Sequence, residues 1–282
     1  MEMDNLILTA IGAAVSAGKA VMEVYDTDVT VVEKSDKSPL TLADQRSHDI
    51  IADRLKNTAI PILSEEGRSI PPETRQQWDT LWIVDTLDGT KEFIKKNDEF
   101  TVNIALVTQG TPVMGVIFIP AQNVLYFASQ ALGAHRLSDA QILSQFSQAA
   151  ETNAESPSIS QVVSSSRRLP LTEQTTDPYS IVGSRSHATP ELEAFVDEKR
   201  AHYNSVEFIS AGSTLKFCLV AEGKAAIYPR LGPTMEWDTA AGQAIAVSSG
   251  ARVYVHETGK ALVYNRSELL NPYFIVERPI KG

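Results

Sequence analysis

The N-terminal stretch carries apolar or small side chains at helical spacing. The positions that repeat every three or four residues are Ile7, Ile11, Ala14, Val15, Gly18 and Met22. This spacing predicts an amphipathic helix that packs one face on a core. Glu2 and Asp4 lie where a signal peptide needs positive charge, and Lys19 and Glu23 interrupt the stretch short of the ~20 apolar residues of a membrane span. We therefore expect a cytoplasmic protein with no integral membrane segment, and peripheral membrane association stays open.

Short apolar runs follow this helix. They predict strands at residues 29–33, 60–64, 82–84, 100–107, 113–119 and 124–128, and helical spacing predicts a helix at residues 42–56. The last two strands are separated by Pro120-Ala121-Gln122-Asn123, which favours a hairpin. This mixture is typical of an α+β fold.

The composition changes between residues 138 and 177 to Ser, Gln, Ala and Thr with few large apolar side chains. Such a composition indicates a loop-like insertion or connector. Beyond it, an α/β unit is predicted, with strands at 179–183, 206–209 and 225–228 and helices at 190–201, 215–222 and 238–249. We therefore predict an N-terminal α+β domain over residues 1–178, which includes the polar insertion, and a C-terminal α/β domain over residues 179–282.

The charge balance excludes a general surface for nucleic acid or anionic membranes. The chain has 25 Lys and Arg against 35 Asp and Glu, for a net charge of −10. If the substrate is an anion, cations must be placed locally to bind it. The single cysteine, Cys218, has no disulfide partner, which fits a reducing compartment.

The most informative segment follows the apolar strand that contains Trp82. It reads Asp85-Thr86-Leu87-Asp88-Gly89-Thr90. Two aspartates with the Leu87 carbonyl between them provide hard oxygen ligands suited to Mg²⁺. The amides of Gly89 and Thr90 at a helix start can bind a phosphate. Taken alone, the motif fits a hairpin turn at Asp88-Gly89 and a helix cap at Thr90 better than a metal site.

Two further acidic groups lie where predicted strands end and helices begin. They are Glu65-Glu66 and Asp238, which follows Trp237. Three such groups would repel one another unless metal ions neutralise them. Two ions a few ångströms apart can hold both the attacking water and the leaving oxygen of an in-line phosphoryl displacement. Together the acids indicate metal-assisted phosphate hydrolysis.

These motifs carry a family resemblance. Asp85 to Thr90, Glu65-Glu66 and Trp237-Asp238-Thr239-Ala240-Ala241-Gly242 together resemble the signatures of the inositol monophosphatase superfamily. The run Gly89-Thr90-Lys91-Glu92-Phe93-Ile94-Lys95 is similar to the CysQ-type 3'(2'),5'-bisphosphate nucleotidases, whereas inositol phosphatases usually carry Thr-Asn-Phe after the Gly-Thr pair. The resemblance spares chiefly residues 138–177. It implies an alternating α/β/α/β/α sandwich, two or three Mg²⁺ ions and sensitivity to lithium.

The resemblance also implies the metal ligands and the catalytic residues. The implied ligands are Glu65, Asp85, Asp88, Asp238 and the carbonyl of Leu87, and Glu65 is counted among the catalytic residues as well. Asp44 is implied to pair with Thr90, and together they orient and deprotonate the attacking water. A water activated by a metal needs only a modest base, which fits this assignment. Helix capping by Asp44 or by Thr90 is the alternative.

The substrate side of the site is implied in the same way. Three polar or basic clusters lie beside predicted strand ends or helix starts, where anions bind well. The resemblance implies contacts with the nucleotide and its retained 5'-phosphate from His187, Ser213, Lys216 and Arg230, and further substrate contacts from Leu87, Gly89, Thr90 and Asp238. Solvated surface positions, and a helix cap at Ser213, are the alternatives.

One position departs from the resemblance. The superfamily usually has proline where this chain has Thr86. Because threonine does not fix the backbone φ angle, the segment from Asp85 to Thr90 is predicted to be less preorganised than one that carries proline.

The expected reaction is Mg²⁺-dependent removal of the 3'-phosphate from 3'-phosphoadenosine 5'-phosphate, which yields AMP and phosphate. The 5'-phosphosulfate analogue is a second expected substrate, and the activity would serve sulfur and nucleotide metabolism in a monomer or homodimer. The nearest alternative is an inositol monophosphatase or sugar bisphosphatase of the same fold. A catalytically silent protein that binds a nucleotide or metal is a second alternative, motivated by Thr86 and the 138–177 segment.

Overall fold

The computed structural model describes residues 2–25, 31–33, 39–152, 155–173, 177–184 and 189–279. Its α-helices are α1 (Met3–Tyr25), α2 (Leu42–Leu55), α3 (Pro72–Arg75), α4 (Thr90–Ile94), α5 (Ala140–Thr152), α6 (Ile159–Ser164), α7 (Pro190–His202), α8 (Leu215–Glu222) and α9 (Ala240–Ser248). Short 3₁₀ turns lie at Lys56–Thr58, Pro120–Gln122 and Glu236–Asp238.

The strands form two large sheets and one small pair. They are β1 (Val31–Glu33), β2 (Pro39–Thr41), β3 (Ile62–Ser64), β4 (Thr80–Asp88), β5 (Thr101–Thr108), β6 (Thr111–Ile119), β7 (Val124–Ser129), β8 (Gly133–Leu137), β9 (Arg167–Arg168), β10 (Tyr179–Gly183), β11 (Val206–Ser210), β12 (Ile227–Arg230), β13 (Arg252–Val255) and β14 (Phe274–Glu277). β1 pairs with β2. The seven-stranded sheet has the order β3 to β9, and the five-stranded sheet has the order β11-β10-β12-β14-β13.

The seven-stranded sheet is buried on both faces, which explains why its strands read as continuous apolar runs. Along β4, Leu81 and Ile83 belong to one core, whereas Trp82 and Val84 belong to the core on the other face. Helices α1, α2 and α5 cover one face, and α9 packs on the other with α8 beside it. Side chains alternate in this way because the strand period is two.

The five-stranded sheet continues the layering. α8 contacts β10, β12 and β14, so the two helices α8 and α9 lie between the sheets. On the outer face, Leu192 and Val196 of α7 pack on Ile181 and Ile227. The order of layers is therefore α/β/α/β/α, which confirms the predicted fold class.

Helix α1 is long and apolar enough to cross a membrane by length and composition alone. In the fold, however, 61% of its most apolar window is buried inside the protein. Ile7, Ile11 and Val15 contribute to the core against the seven-stranded sheet. Gly18 lies so close to the Phe118 ring that a Cβ atom there would be 2.5 Å from it. Packing thus accounts for the apolar composition of α1.

The prediction of a loop-like insertion at residues 138–177 is wrong for most of that segment. It contains α5, α6 and β9, and Ser158 forms a capping box with Gln161 at the start of α6. Leu143 and Phe146 of α5 are buried in the core that α1 shares. Ala, Gln and Ser are compatible with helix, and a few apolar anchors suffice when only one face packs. Residues 153, 154 and 174–176 lie outside the described ranges.

The other predicted elements agree with the structure to within a few residues, although residues 29 and 30 of the first predicted strand lie outside the described ranges. The predicted helix at 238–249 begins as a 3₁₀ turn and continues as α9. The sequence predicts neither the strands β2, β8, β13 and β14 nor the short helix α3. The domain division at residue 179 falls between the two large sheets and stays a prediction.

Candidate active site

The candidate site begins at the end of β4, where a β-bulge changes the direction of two carboxylates. Asp85 is paired with Asn103 and Asp88 with Thr101, so three steps along β4 match two along β5. In a regular strand, residues three apart point to opposite faces. The extra residue of the bulge brings Asp85 and Asp88 to the same side.

A third carboxylate joins them from the C-terminal half of the chain. Asp238 ends the 3₁₀ turn Glu236–Asp238, and its Oδ2 atom accepts a hydrogen bond from the Met235 amide at 2.8 Å. Asp85, Asp88 and Asp238 each place one carboxylate oxygen within 4.8 Å of the others. Such a cluster of acids could hold a metal ion.

Without a cation these carboxylates are costly to ionise together. Burial raises the pKa of Asp85 well above its ordinary range, and the charges of Glu65, Asp88, Asp238 and Asp44 add to this effect. Burial, followed by the charge of Asp88, raises the pKa of Asp238 to about 7. Mutual repulsion of this kind is relieved when a divalent cation binds.

Asp85 provides a direct test of whether the residues fit a metal. Its Oδ1 atom accepts a hydrogen bond from the Leu87 amide at 3.1 Å. Its Oδ2 atom is buried and has no hydrogen-bond partner among the described residues. A buried carboxylate oxygen without a donor is strongly unfavourable unless an ion or water satisfies it. The donor set, made entirely of oxygen, fits a hard divalent cation.

Glu65 and Leu87 are placed beside this cluster. Glu65 follows β3, and its amide donates to the carbonyl of Val84 at 3.3 Å. Its charge acts on Asp85, although Glu65 does not belong to the group of three close carboxylates. The Leu87 carbonyl accepts a hydrogen bond from Thr90 Oγ1 at 3.4 Å. The ligand roles of Glu65 and Leu87 remain predictions.

Asp44 and Thr90 each have a described hydrogen-bond partner, and their predicted pairing with each other stays a prediction. The Thr90 hydroxyl donates to the Leu87 carbonyl, and Asp44 Oδ1 accepts a short hydrogen bond from Thr86 Oγ1. Thr86 is fully buried, and its carbonyl accepts from Ser47 Oγ at 2.6 Å. Asp44 and Ser47 lie about one turn apart on α2, so α2 is hydrogen-bonded through Thr86 to the segment from Asp85 to Thr90.

A cavity of about 130 Å³ lies next to the carboxylates, and Ser213, Lys216 and Arg230 are among the residues that line it. Lys216 is buried, and its ammonium donates to the carbonyls of Ala211 and Ser213. Burial lowers the pKa of Lys216 to about 8. Arg230 lines the same cavity and donates to the Pro233 carbonyl at 2.7 Å. His187 lies outside the described residues.

Gly89 lines this cavity as well, in a left-handed conformation with φ of 92°. A Cβ atom at this position would lie 3.3 Å from the Glu92 carboxylate, the Glu99 carbonyl and the Ser213 side chain. The backbone conformation therefore favours glycine, and the neighbours leave little space for a Cβ atom.

Comparison with known proteins now identifies the family. A model of the protein family described as "Inositol monophosphatase family" matches residues 2–276, which is almost the whole chain. The chain belongs to the inositol monophosphatase family.

Relatives within this family share much higher identity than the fold alone requires. The 3'(2'),5'-bisphosphate nucleotidase CysQ of Shigella flexneri is 44% identical over 268 residues, which cover 93% of this chain and 95% of the relative. The protein of the same name from Escherichia coli strain K12 is 43% identical over the same shares. The resemblance predicted from the motifs is confirmed.

Solved structures agree. CysQ from Bacteroides thetaiotaomicron, described as a bacterial member of the inositol monophosphatase family, superposes with a TM-score of 0.88 at 46% identity and covers 99% of both chains. The extragenic suppressor protein suhB from Bartonella henselae superposes with a TM-score of 0.72 at 21% identity, over 97% of this chain and 94% of its own, and shows the shared fold. Enzymes of the inositol monophosphatase family depend on metal, in agreement with the carboxylate cluster.

Thr86, which stands where the inositol monophosphatase family usually has proline, gives a first testable prediction. Thr86→Val removes the hydroxyl that donates to Asp44 and keeps a β-branched side chain in the strand. A hydrogen bond to a charged group contributes about 1.5–3 kcal/mol, so we expect kcat to fall roughly 10- to 100-fold. Steady-state kinetics of the purified variant measures this.

Thr86→Ser is the matched control because it keeps the hydroxyl, and we expect it to retain most of the activity. If Thr86→Val folds and turns over at the rate of the unaltered protein, the hydrogen bond from Thr86 has no role in placing Asp44.

Proposed function

We propose that this protein is a metal-dependent phosphatase that removes the 3'-phosphate of 3'-phosphoadenosine 5'-phosphate and releases AMP and phosphate. The observation that carries the proposal is the position of the carboxylate cluster, Asp85, Asp88 and Asp238, beside a cavity lined by Lys216 and Arg230. A doubly phosphorylated nucleotide can place one phosphate at the carboxylate cluster and the other in the cavity. The names of relatives at 43–46% identity support the same reaction. The 5'-phosphosulfate analogue is the second proposed substrate.

The cation is proposed to be Mg²⁺, in two or three copies. Asp85, Asp88, Asp238, Glu65 and the Leu87 carbonyl would hold it. Bound Mg²⁺ would lower the pKa of water and neutralise the charge that develops on the phosphoryl oxygens.

The protein's own groups then have separate tasks in the proposed reaction. The Asp44 carboxylate, held by the hydroxyl of Thr86, accepts a proton from the attacking water. The Thr90 hydroxyl, held next to the Leu87 carbonyl, is placed to orient that water. The absence of a side chain at Gly89 leaves its backbone open to a phosphate in the cavity that it lines.

The 5'-phosphate is assigned to Lys216 and Arg230. Lys216 has a pKa of about 8, so its ammonium is largely charged at neutral pH. A second cavity of about 120 Å³ shares Ser184, Tyr228 and Arg230 with the first and extends the space available to a nucleotide. An acidic protein therefore has two cations at the place where an anion would bind. His187 is proposed as a further contact from the sequence alone.

Several broader properties are part of the proposal. We place the activity in sulfur and nucleotide metabolism, in the cytoplasm, in a monomer or a homodimer, and we expect inhibition by lithium. The proposed domain division has the N-terminal residues 1–178 supplying most metal ligands. Residues 179–282 supply Asp238 and the nucleotide contacts.

A comparison of substrates tests the proposed function. Phosphate release is measured with and without Mg²⁺ from 3'-phosphoadenosine 5'-phosphate, 3'-AMP, inositol 1-phosphate and fructose 1,6-bisphosphate. We expect kcat/KM for the bisphosphate nucleotide to exceed that for 3'-AMP by roughly 10- to 100-fold. This range corresponds to about 1.5–3 kcal/mol for hydrogen bonds between charged groups and the 5'-phosphate.

Asp88→Asn serves as the control for contaminating phosphatases, since a true activity must be lost in this variant. Preference for inositol or sugar phosphate would contradict the assignment of Lys216 and Arg230 while it leaves the metal site in place. Binding of the nucleotide without turnover would instead favour a silent binding protein.

A further inference from the structure

Two hydroxyl groups from the C-terminal half of the chain hold one oxygen of Asp88. Ser213 Oγ and Thr214 Oγ1 each donate a hydrogen bond to Asp88 Oδ2 at 2.5 Å. Both residues belong to the loop that leads into α8. Hydrogen bonds from hydroxyls to an ionised carboxylate are short and strong, and these two meet at the same atom.

The hydroxyl of Thr214 is oriented by β5. Thr214 Oγ1 accepts a hydrogen bond from Asn103 Nδ2 at 2.9 Å. An amide nitrogen can only donate, so the single hydrogen of the Thr214 hydroxyl is left for an acceptor. Asp88 Oδ2, at 2.5 Å, is nearer to Thr214 Oγ1 than the Asp238 carbonyl, at 3.3 Å. Ser213 Oγ lies 2.7 Å from Thr101 Oγ1, which can donate to it in the same way. Thr101 and Asn103 are the β5 partners of Asp88 and Asp85 in the sheet.

Ser213 also has a backbone conformation that residues other than glycine seldom adopt. Its φ angle is 49°, in the left-handed region that favours glycine. The preceding Gly212 fixes the loop, because its amide donates to Glu99 Oε2 at 2.8 Å and a Cβ atom there would lie 2.8 Å from Glu92 Cγ. Strain of this kind persists where the surrounding contacts determine the conformation. Serine therefore occupies a position at which glycine would have less backbone strain, and its hydroxyl donates to Asp88.

We propose that Ser213 and Thr214 are positioning residues of the metal site. Their hydroxyls occupy Asp88 Oδ2, orient the carboxylate and leave its other oxygen for a cation. The inference rests on the proposed metal-dependent function and gives the Ser213 side chain a different role from the substrate contact predicted from the sequence. It also makes assembly of the metal site depend on a loop from the C-terminal half.

The test measures metal binding rather than turnover. Mn²⁺ binding to the full-length chain is followed by electron paramagnetic resonance of free Mn²⁺, in the absence of any nucleotide, for Ser213→Gly, Thr214→Val and Thr214→Ser. Loss of a partner that orients a metal ligand weakens metal affinity by roughly 10- to 100-fold. We expect such a loss in Ser213→Gly and Thr214→Val, and affinity within about threefold of the unaltered protein in Thr214→Ser.

Thermal unfolding of the metal-free variants separates positioning from stability. Glycine relieves the left-handed strain at residue 213, so we expect Ser213→Gly to unfold at the same temperature as the unaltered protein or higher while it binds Mn²⁺ more weakly. If Ser213 had a purely structural role, Ser213→Gly would instead unfold at a lower temperature and bind Mn²⁺ with unchanged affinity. Should Thr214→Val fail to fold, Ser213→Gly still decides the question.

Unchanged Mn²⁺ affinity in the folded variants would overturn the inference. If phosphate release by Ser213→Gly then shows only a raised KM for the nucleotide, Ser213 is a substrate contact instead. Equal weakening in Thr214→Ser and Thr214→Val would overturn it for Thr214, because the hydroxyl would then not matter. If the unaltered protein binds Mn²⁺ but does not hydrolyse the nucleotide, the proposed function fails while the Mn²⁺ comparison still stands.

Discussion

Asp85→Asn is expected to reduce phosphate release by about 10³-fold or more and, in the metal-free protein, to increase thermal stability. Asp85 is 1% exposed, and its Oδ2 atom has no partner among the described residues. Loss of a metal ligand removes charge stabilisation that is worth several kcal/mol in the transition state, and each 1.36 kcal/mol corresponds to about tenfold in rate. The same change removes a buried negative charge that three neighbouring acids and Asp44 oppose.

Asparagine has nearly the shape of aspartate and keeps an oxygen for the hydrogen bond from the Leu87 amide. A gain of only 1 kcal/mol would raise the unfolding temperature by roughly 2–4 °C in a protein of this size. Differential scanning calorimetry in EDTA and a phosphate-release assay with Mg²⁺ measure the two effects. Asp79→Asn is the matched control, since Asp79 is exposed six residues earlier in the chain. Lower stability of metal-free Asp85→Asn would contradict the assignment of Asp85 as an unfavourable buried charge.

The sequence identified the acids of the site but not the geometry that brings them together. Asp85 and Asp88 are three residues apart, a spacing that would separate them in a regular strand. The β-bulge that corrects this is set by pairing with β5, 13 or more residues along the chain. Asp238 is predicted from its place at a helix start and from a family motif, but its distance to Asp85 could only come from tertiary packing.

The hydrogen bonds around the carboxylates depend on tertiary packing that the sequence does not encode locally. The family motifs imply that Asp44 pairs with Thr90, which stays a prediction, whereas the hydrogen bonds from Thr86 to Asp44 and from Thr90 to Leu87 have no signal in the motifs. Which hydroxyl reaches which carboxylate depends on how α2 lies against β4, a tertiary feature with no local sequence signal. The hydrogen bond from Ser213 to Asp88 has no local signal for the same reason, because the two residues are 125 positions apart.

The error at residues 138–177 had a different cause. The composition of this segment favours a loop, whereas its periodicity favours a helix, since Leu143 and Phe146 are three residues apart and lie on the same face of α5. A polar composition describes the solvent face of an amphipathic helix as well as it describes a loop.

The metal-free protein is expected to lose stability as pH rises from about 4 to 8, and Mg²⁺ is expected to remove this dependence. The pKa of Asp238 is about 7 in the folded protein against an ordinary value of 3.8, and the pKa of Asp85 is shifted in the same direction. Between the unfolded and folded pKa values the folded state binds more protons, so stability falls as pH increases. The contribution is fully present below the unfolded pKa and is lost as pH rises through the folded one.

Each of the two carboxylates contributes at most about 1.4 kcal/mol per pH unit to the slope, the value for one proton bound by the folded state and not by the unfolded state. Mg²⁺ holds both carboxylates ionised in the folded state, so their folded pKa values fall and the slope disappears or reverses. Urea unfolding between pH 5 and pH 8, in EDTA and in saturating Mg²⁺, measures the difference between the two slopes. Other titrating groups contribute equally to the slopes in EDTA and in Mg²⁺, so they cancel in the difference. The variant Asp85→Asn should show a smaller difference between the two slopes. Equal slopes with and without Mg²⁺ would mean that these carboxylates do not bind the cation.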